Sequence, residues 1–452
     1  MKRLAEAELR RWFNRRKRKP LVLRGARQVG KSTLVENFAE ADGIALREVN
    51  LERHPELRKV FATMRAETIL TELESIVRAP IREGRELLFL DEIQAVPEAI
   101  PALRYLAEDR PDLPIVAAGS LLEFALAKLN FSMPVGRISY LHLGPMDFAE
   151  YALEREPDLL RYLSAEVVLS GIPDGAHARL LRLLREYLAV GGMPEAVLAM
   201  SETGSAREAS EVQSQILQTY QDDFGKYATD RQLVLLQALF RGLPMWIGKK
   251  AKYSNFSRED LPRDVKACLE LLRKAKIFSA VHHSDGNGVP LAAEESESVW
   301  KPVFLDVGLM NKAAGLDAAT IARMDAIRLV NEGAIAEQFV GQHLLALRGW
   351  SEAPSLHYWL REGRSNNAEV DYLVGSAGSV VPVEVKAGAA GSLRSLAQFM
   401  KERGPRTAFR FDLNPASRQT VAAVPSKGLP SYPLVSLPLY AVAVFGDILA
   451  RF

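Results

Sequence analysis

The stretch LVLRGARQVGKSTLVENFA, residues 21–39, decides the fold of the first third of the chain. Its apolar start predicts a buried strand, and its second half has the apolar spacing of a helix. Between them lies a turn that fits the pattern G-x-x-x-x-G-K-[ST], in which backbone amides wrap phosphate groups. The turn consists of Gly25, Ala26, Arg27, Gln28, Val29, Gly30, Lys31 and Ser32, followed by Thr33. The stretch therefore predicts a nucleotide-binding loop.

Each polar residue of this loop has an expected role. Lys31 is placed to reach the β- and γ-phosphate oxygens, the Ser32 hydroxyl to help hold Mg²⁺, and Thr33 to support the α-phosphate side. The alternative is a glycine turn that precedes a helix by chance. The order of strand, loop, Lys-Ser and helix favours the phosphate site.

Two later strands end in polar residues that complete such a site. LLFLDEIQ, residues 87–94, is a buried strand that ends at Asp91, expected to hold Mg²⁺, and Glu92, expected to polarise the attacking water. LPIVAAGSLLEFAL, residues 113–126, reaches Ser120, which we expect to sense the γ-phosphate. The alternatives are a solvated strand edge for the acids and a helix N-cap for the serine.

Composition sets limits on the class of protein. The 452 residues suffice for two to four domains, and 48% hydrophobic with 25% charged residues is typical of a soluble protein. The net charge of +2 means that any attraction to nucleic acid must come from local patches. Cys268 is the single cysteine, which excludes disulfides and cysteine zinc sites and indicates a reducing, cytoplasmic location. The sequence contains no uninterrupted apolar run of about 18 residues, so no membrane span is predicted.

The middle of the chain has helical spacing. Between residues 151 and 230 a Gly-Gly-Met-Pro break, with Gly191 and Gly192, is either a hinge or a helix cap. Residues 231–320 give three helical segments and two short strands around a Gly-Asn-Gly turn, the order of a winged helix. The third helix could enter a DNA groove or serve only for packing. Its basic residues are Arg263, Lys266, Arg273, Lys274 and Lys276.

The last third contains a β-meander, residues 356–388, that ends in VPVEVKAG. Strand alternation places Glu384 and Lys386 on one face of that last strand, and Glu369 and Asp371 on one face of the strand before it. Acids on neighbouring strands can hold Mg²⁺ beside a phosphodiester, while a lysine stabilises charge. The alternative is an exposed ion pair between Glu384 and Lys386, which contributes little to stability.

The sequence resembles a known group of ATPases. GARQVGKST, LLFLDEIQ, AAGS and VGRI closely resemble AAA+ ATPases of the archaeal-type group, which join an N-terminal P-loop domain to a C-terminal endonuclease-like domain. The resemblance implies ATP as substrate, a helical lid, a homo-oligomer, and an arginine that completes the active site of a neighbouring subunit. Arg137 is the candidate, with pairing to an acid of its own domain as the alternative, and Arg27 is the second candidate.

A second resemblance concerns the last third. Asp371 and Glu384-x-Lys386 resemble the PD-(D/E)XK endonuclease motif, and Glu337 matches the glutamate of that superfamily's preceding helix. The resemblance implies catalytic roles for these four residues and metal binding by Asp371 and Glu384. Val370 stands where the motif has proline, and this departure leaves cleavage open, since such domains can also serve only to bind.

The expected fold is α/β with four parts: an AAA+ P-loop domain (1–150), a helical lid (151–230), a winged-helix-like domain (231–320) and a restriction-endonuclease-like domain (321–452). The expected function is Mg²⁺-dependent ATP hydrolysis coupled to DNA binding or remodelling, without membrane insertion. One alternative is an ATP-dependent switch that recognises a protein partner through an inactive nuclease-like domain. Another is a DNA-binding scaffold with slow hydrolysis, against which Glu92 argues.

Overall fold

The computed structural model describes residues 1–82, 84, 86–128, 136–323, 332–347, 349–362, 367–386 and 393–452. They form two compact units. Unit 1 comprises Met1–Gly144 and two short later segments, Lys274–Lys276 and 349–353, and unit 2 comprises the other described residues. In the described ranges, none of the helices combines the length and apolar character needed to span a bilayer.

Unit 1 is built on a sheet of five parallel strands flanked by helices. The strands are β1 (Leu21–Arg24), β2 (Ala45–Asn50), β3 (Glu86–Asp91), β4 (Ile115–Gly119) and β5 (Ser139–His142). The helices are α1 (Ala5–Phe13), α2 (Lys31–Ala41), α3 (Leu57–Phe61), α4 (Ala66–Val77), α5 (Ala99–Asp109) and α6 (Leu122–Lys128), with a short 3-10 helix at Ile93–Ala95. The strand order is β2-β3-β4-β1-β5.

The apolar runs of the sequence explain this sheet. All residues of β4 and all but the first of β3 are buried, as expected for central parallel strands covered on both faces. Leu88 and Leu90 of β3 join one core cluster with Ile69 of α4 and Leu103 of α5. Since parallel strands end at the same edge, the residues that follow β1, β3 and β4 lie together.

Unit 2 contains the remaining elements. Its helices are α7 (Phe148–Arg155), α8 (Ala165–Ser170), α9 (Asp174–Val190), α10 (Pro194–Thr203), α11 (Ala206–Asp223), α12 (Asp230–Gly242), α13 (Tyr253–Phe256), α14 (Pro262–Lys274), α15 (Val307–Ala313), α16 (Ala318–Arg323), α17 (Glu332–Leu344), α18 (Arg394–Arg403) and α19 (Phe445–Leu449). Its strands are β6 (Phe278–Ser284), β7 (Glu295–Phe304), β8 (His357–Arg361), β9 (Ala368–Ser376), β10 (Ser379–Val385), β11 (Ala408–Asp412), β12 (Ser417–Val421) and β13 (Tyr432–Pro438). Short 3-10 helices occur at Pro157–Tyr162, Phe224–Lys226, Leu243–Trp246, Leu291–Glu294, Pro425–Lys427 and Leu439–Val444.

The eight strands of unit 2 form one mixed sheet in the order β12-β13-β11-β10-β9-β8-β6-β7. The predicted meander is confirmed, because β8, β9 and β10 pair antiparallel in succession. The hairpin of β6 and β7, predicted as a wing, is the edge of this same sheet, since β6 pairs in parallel with β8. The expected division between 231–320 and 321–452 therefore falls between strands of one sheet.

Two helices position the polar residues of this sheet. The α18 helix covers an apolar surface that includes Val370, and Phe399 of α18 meets Trp359 of β8 edge to face with ring centroids 5.2 Å apart. The α17 helix packs against β7 and β10. Tyr372 of β9 fixes α17 by donating a hydrogen bond of 2.8 Å to the Glu337 carbonyl oxygen.

The Gly-Gly-Met-Pro break is the end of α9, where Gly191 is the C-cap. The next amide, Gly192 N, donates to the buried Asp306 Oδ2 at 2.6 Å, and Met146 N donates to Gly192 O at 2.7 Å. Burial raises the pKa of Asp306 to about 6 although backbone amides oppose that shift. A Cβ on residue 192 would collide with the Met146 carbonyl, so this close contact requires glycine.

We expect Gly192→Ala to lower the free energy of unfolding of unit 2 by about 1–3 kcal/mol, because the backbone of Met146 must move to admit the methyl group. The matched control is Gly175→Ala in α9, where a Cβ meets nothing within 4 Å. The control should be neutral or slightly stabilising, since alanine favours a helix. Urea unfolding of both variants, followed by circular dichroism, tests this. Equal stability of the two variants would contradict the packing described.

Candidate functional site

The glycine-bearing turn of the sequence lies between β1 and α2, as predicted. Gln28 and Gly30 have left-handed backbones, with φ of 62° and 85°, and α2 begins at Lys31. Gly25 approaches the backbone of Leu143 so closely that a Cβ would collide with its carbonyl oxygen. Ala26 and Val29 are buried, while Thr33 is exposed in the first turn of α2. The loop is thus a compact cradle at the end of β1.

Lys31 is folded into this cradle. Its side chain is buried, and Nζ donates to Ala26 O at 2.7 Å and Gly25 O at 3.2 Å. Burial lowers the pKa of Lys31 to about 8, against the opposing charges of Glu92 and Asp91 and with a smaller lowering by Arg27. The ammonium group therefore stands among the loop's backbone groups, with two carboxylates nearby.

Ser32 and Asp91 meet although 59 residues separate them in the chain. Ser32 Oγ donates to Asp91 Oδ2 at 2.9 Å, and the amide of Glu92 donates to Asp91 Oδ1 at 2.9 Å. Burial raises the pKa of Asp91, and the hydrogen bond from Ser32 opposes that rise. A hydroxyl and a carboxylate at one point are oxygen ligands of the kind that Mg²⁺ takes, so these two residues fit the ion.

Glu92 has a left-handed backbone with φ of 49°, which is strained for a residue with a side chain. Gln94 Nε2 donates to Glu92 Oε2 and holds the carboxylate in place. Gly119 at the end of β4 lies against Gln94 Oε1, and a Cβ there would collide with it. Gln94 is therefore a part of the site that the sequence analysis missed. The signal was its position two residues after Glu92.

Ser120 and Arg137, which were also predicted for the site in unit 1, differ in their surroundings. Ser120 is buried directly after β4, at the sheet edge that carries Asp91. Arg137 pairs with Glu108 of unit 1, with Nε 3.3 Å from Oε1, while its side chain is 57% exposed. The pairing within its own domain that the sequence left open therefore occurs in this structure.

Arg3 is a further residue at the loop that the sequence gave no reason to select. Its guanidinium group is buried, and Nη1 donates to Val29 O at 2.8 Å while Nη2 donates to Gly144 O at 2.9 Å. One side chain thus ties the phosphate loop to the end of the Leu143–Gly144 segment. The identification needs the fold, because Arg3 precedes the loop by more than twenty residues.

Unit 2 contains a cluster of carboxylates at α17 and β9. Glu337, Glu369 and Asp371 each offer an oxygen atom within 4.8 Å of the others. Burial raises the pKa of Glu337 to about 7 and also raises that of Glu369, in both cases with a further contribution from the charge of Asp371. Asp371 Oδ2 accepts a hydrogen bond of 2.7 Å from the amide of Val385 in β10. The helix glutamate and the strand aspartate are therefore together.

Lys301 of β7 lies inside this cluster. Its side chain is 1% exposed, and Nζ donates to Glu337 Oε1 and, at 3.4 Å, to Glu369 Oε1. Burial alone would lower the pKa of Lys301, but the charges of Glu337 and Glu369 raise it well above its usual value. The sequence analysis did not select Lys301, because it lies far from the motif along the chain.

Glu384 and Lys386 form an ion pair, with Nζ 2.5 Å from Oε1. The pair is not on an exposed face, as the alternative interpretation held, because the Glu384 side chain is only 5% exposed. Burial raises the pKa of Glu384 to about 8, with a further contribution from Asp371. Glu384 is outside the group of three carboxylates described above.

The α14 helix buries Val265, Cys268, Leu269 and Leu272 and exposes Arg263, Lys266 and Arg273. Arg273 Nη2 lies 2.9 Å from Glu270, so part of this positive charge is neutralised locally. Lys276 pairs with Glu123 at 3.4 Å. Arg263 and Lys266 remain exposed on this helix, with Arg263 Nε 3.7 Å from Asp264 Oδ1.

Separate parts of the chain match three families. Residues 17–152 match an AAA domain, AAA_14. Residues 181–320 and 332–423 match two domains of unknown function, DUF8612 and DUF4143. Together with the phosphate loop and the contact between Ser32 and Asp91, the first match defines the class. The protein is a P-loop ATPase whose residues 17–152 match an AAA domain.

Other comparisons are more distant. No curated protein sequence matches the chain. A Walker-type ATPase of Pyrococcus abyssi is 16% identical, over 69% of this chain and 95% of that one, with a TM-score of 0.45. The Thermotoga maritima RuvB Holliday junction branch migration motor is 15% identical, over 61% of this chain and 84% of that one, with a TM-score of 0.25. At these TM-scores neither structure supports a conclusion about function.

We expect Glu92→Gln to lower kcat for ATP hydrolysis about 10²- to 10⁴-fold, because the amide cannot accept a proton from water. Nucleotide affinity should change less than about threefold, since shape and the contact with Gln94 are retained. The control is Glu98→Gln, an acid that pairs with Arg58 at 3.2 Å. Steady-state hydrolysis and fluorescent nucleotide binding measure the two quantities. Undiminished kcat would exclude Glu92 as the base.

We expect Arg3→Ala to weaken ATP binding about tenfold, because two charge-assisted hydrogen bonds are lost, one to Val29 of the loop and one to Gly144. The change should appear in KM more than in kcat, since Arg3 contacts the phosphate loop, whereas Glu92 is the residue expected to polarise the attacking water. The matched control is Arg10→Ala, which removes an exposed ion pair with Asp42. Nucleotide titration of both variants is the test. Equal affinities would show that the contact of Arg3 is only structural.

Proposed function

We propose that this ATPase uses Mg²⁺-dependent ATP hydrolysis to act on DNA, with residues 321–452 as a PD-(D/E)XK endonuclease-like module. The observation that carries the proposal is that three elements bring their motif residues together. Glu337 of α17 lies beside Asp371 of β9, and Asp371 in turn accepts the amide of Val385 in β10. That amide stands between Glu384 and Lys386.

In unit 1 the proposed division of tasks follows the contacts. Lys31 exchanges its bonds to the Gly25 and Ala26 carbonyls for phosphate oxygens, and the loop amides bind the same groups. Ser32 and Asp91 would hold Mg²⁺, which supplies positive charge next to the β- and γ-phosphates. Glu92, oriented by Gln94, accepts a proton from the attacking water.

In unit 2 the proposed site binds a phosphodiester. Asp371 and Glu384 would hold a divalent cation, which supplies charge that stabilises the developing phosphate oxyanion. The Lys386 side chain is 27% exposed, so its Nζ is an accessible cation beside Glu384 and is placed to contact a phosphate oxygen. Glu337, through its ion pair with the buried Lys301, orients the other end of the cluster.

DNA is favoured over other phosphodiesters by the exposed face of α14. Arg263 and Lys266 are exposed on one helix of the predicted winged-helix region, a geometry that suits a groove or a phosphate backbone. With a net charge of only +2, binding must rest on such local groups and should weaken steeply with salt. We therefore propose that residues 231–320 contact DNA. We further propose that residues 151–230 form a lid on the ATPase domain and that the protein is cytoplasmic.

A homo-oligomer is part of the same proposal. AAA+ sites are often completed by an arginine from a neighbouring subunit, and Arg137 is our candidate, with Arg27 as the second. The exposure of Arg137 supports this role, because its side chain is more than half exposed even while it is paired with Glu108. Exchange of that pairing for a phosphate contact would leave Glu108 bound to Arg104, which lies 3.0 Å away.

The second candidate function is an ATP-dependent switch that recognises a protein partner. One observation favours it: Lys301 already neutralises Glu337 inside the cluster, as in a structural ion-pair network. In that case unit 2 would bind a partner and would not cleave DNA.

The test measures Mg²⁺-dependent ATP hydrolysis by the full chain, with and without single-stranded, duplex and branched DNA, and analyses the DNA on a gel. We expect one DNA form to stimulate hydrolysis several-fold. If the module cleaves, nicks should be lost in Asp371→Asn and retained in Asp447→Asn, a control at an exposed acid of α19. If DNA stimulates ATP hydrolysis but stays intact on the gel, the proposed DNA-directed ATPase activity stands and DNA cleavage is excluded. Hydrolysis indifferent to every DNA would contradict the proposal and favour the partner switch.

A further inference from the structure

The acidic cluster of unit 2 already holds a cation of the chain itself. Lys301 Nζ donates to Glu337 Oε1 and to Glu369 Oε1, and it lies 5.0 Å and 4.8 Å from the ring centroids of Tyr358 and Tyr372. Both rings present their faces to the ammonium group, which is favourable. Acids on one side and aromatic faces on the other therefore fix the position of Lys301.

This position lies between two of the three carboxylates that could share a metal ion. Glu337 and Glu369 each have one oxygen in contact with Lys301, whereas Asp371 accepts a hydrogen bond from the Val385 amide. An ion that bridged Glu337 and Glu369 would have to displace a buried ammonium group. That displacement is costly, because Lys301 would lose its charge partners in a dry environment.

Charge counting leads to the same conclusion. Four carboxylates, Glu337, Glu369, Asp371 and Glu384, and two ammonium groups, Lys301 and Lys386, leave a net charge of −2 when all are ionised. One divalent cation neutralises this charge, and a second would make the cluster positive. The cluster is therefore balanced for a single ion.

Glu384 supplies an independent sign of a ligand. Its Oε2 atom is buried and has no hydrogen-bond partner among the described residues, while Oε1 is bound by Lys386. An unpaired buried carboxylate oxygen is costly, and natural proteins seldom keep one without a function. Asp371 accepts a hydrogen bond from the amide of Val385, the residue next to Glu384, so Asp371 and Glu384 lie close together on neighbouring strands.

We propose that Lys301 is a built-in cation of this cluster, which fills the position between Glu337 and Glu369 and limits unit 2 to one divalent cation, held by Asp371 and Glu384. This inference rests on the proposed function of the same site. It adds that Lys301 is a positioning residue and that Glu369 is a partner of Lys301 instead of a metal ligand.

The test is titration of the full chain with Mn²⁺ in the absence of nucleotide, followed by calorimetry and by the electron paramagnetic resonance of free Mn²⁺. We expect one ion per wild-type chain, none with Asp371→Asn, and one with Glu369→Gln at an affinity within about threefold of wild type. Glu369 is a mild site to change, since its side chain is 32% exposed. Asp91→Asn should keep the ion, because Asp91 belongs to unit 1.

Two further variants test Lys301 itself. Lys301→Met raises the net negative charge of the cluster, so we expect it to bind a second Mn²⁺ or to bind the first at least about tenfold more tightly. The double variant Lys301→Met/Glu337→Gln removes both charges of the buried pair together and leaves Glu369, whose side chain is partly exposed, without its cation. We expect it to bind one ion, as wild type does.

The outcomes separate the two proposals. No Mn²⁺ binding to wild type, or binding lost in Asp91→Asn, would contradict the metal site of the proposed function. One wild-type ion that is lost in Glu369→Gln would overturn the role of Lys301 and leave the metal site standing. Two wild-type ions that both persist in Asp91→Asn would also overturn it, because both would then belong to unit 2. Should Lys301→Met fail to fold, the contrast between Asp371→Asn and Glu369→Gln still decides the question.

Discussion

The hydrogen bond of 2.9 Å from Ser32 Oγ to Asp91 Oδ2 joins the helix after β1 to the end of β3. It can form only because β1, β4 and β3 are parallel neighbours that end at one edge. The same edge carries Ser120, and Gly119 presses against the glutamine that holds Glu92. Sheet order therefore converts three separated sequence motifs into one site. The ATPase assignment depends on this constraint more than on any single motif.

Unit 2 is organised differently, around charges that are buried and paired. Lys301, which is almost fully buried, pairs with Glu337, and the buried Glu384 pairs with the more exposed Lys386. A buried ion pair is rarely the most stabilising way to fill a core, so its presence favours a role in positioning or in binding. The unpaired oxygen of Glu384 supports the same interpretation. At the end of α9, the buried Asp306 accepts the amide of Gly192 and so fixes the chain there.

The sequence was most informative where the signal is local. The loop from Gly25 to Ser32, the acids at the end of β3 and the meander of β8 to β10 all follow from spacing and alternation along one short stretch. Arg3, Lys301 and Gln94 were missed because their contacts depend on the three-dimensional fold, and a lone basic or amide residue has no distinguishing pattern. The pairing of β6 with β8 was missed for a related reason, since more than seventy residues separate the paired positions.

We propose that nucleotide turnover in unit 1 governs DNA binding by the rest of the chain. The most direct measurement is the anisotropy of a labelled DNA, titrated at fixed salt with Glu92→Gln protein that is either saturated with ATP and Mg²⁺ or free of nucleotide. We expect ATP to change the DNA affinity by about fivefold or more, and DNA to change the ATP affinity by the same factor. Identical DNA affinities in the two states, or no DNA binding at all, would contradict it.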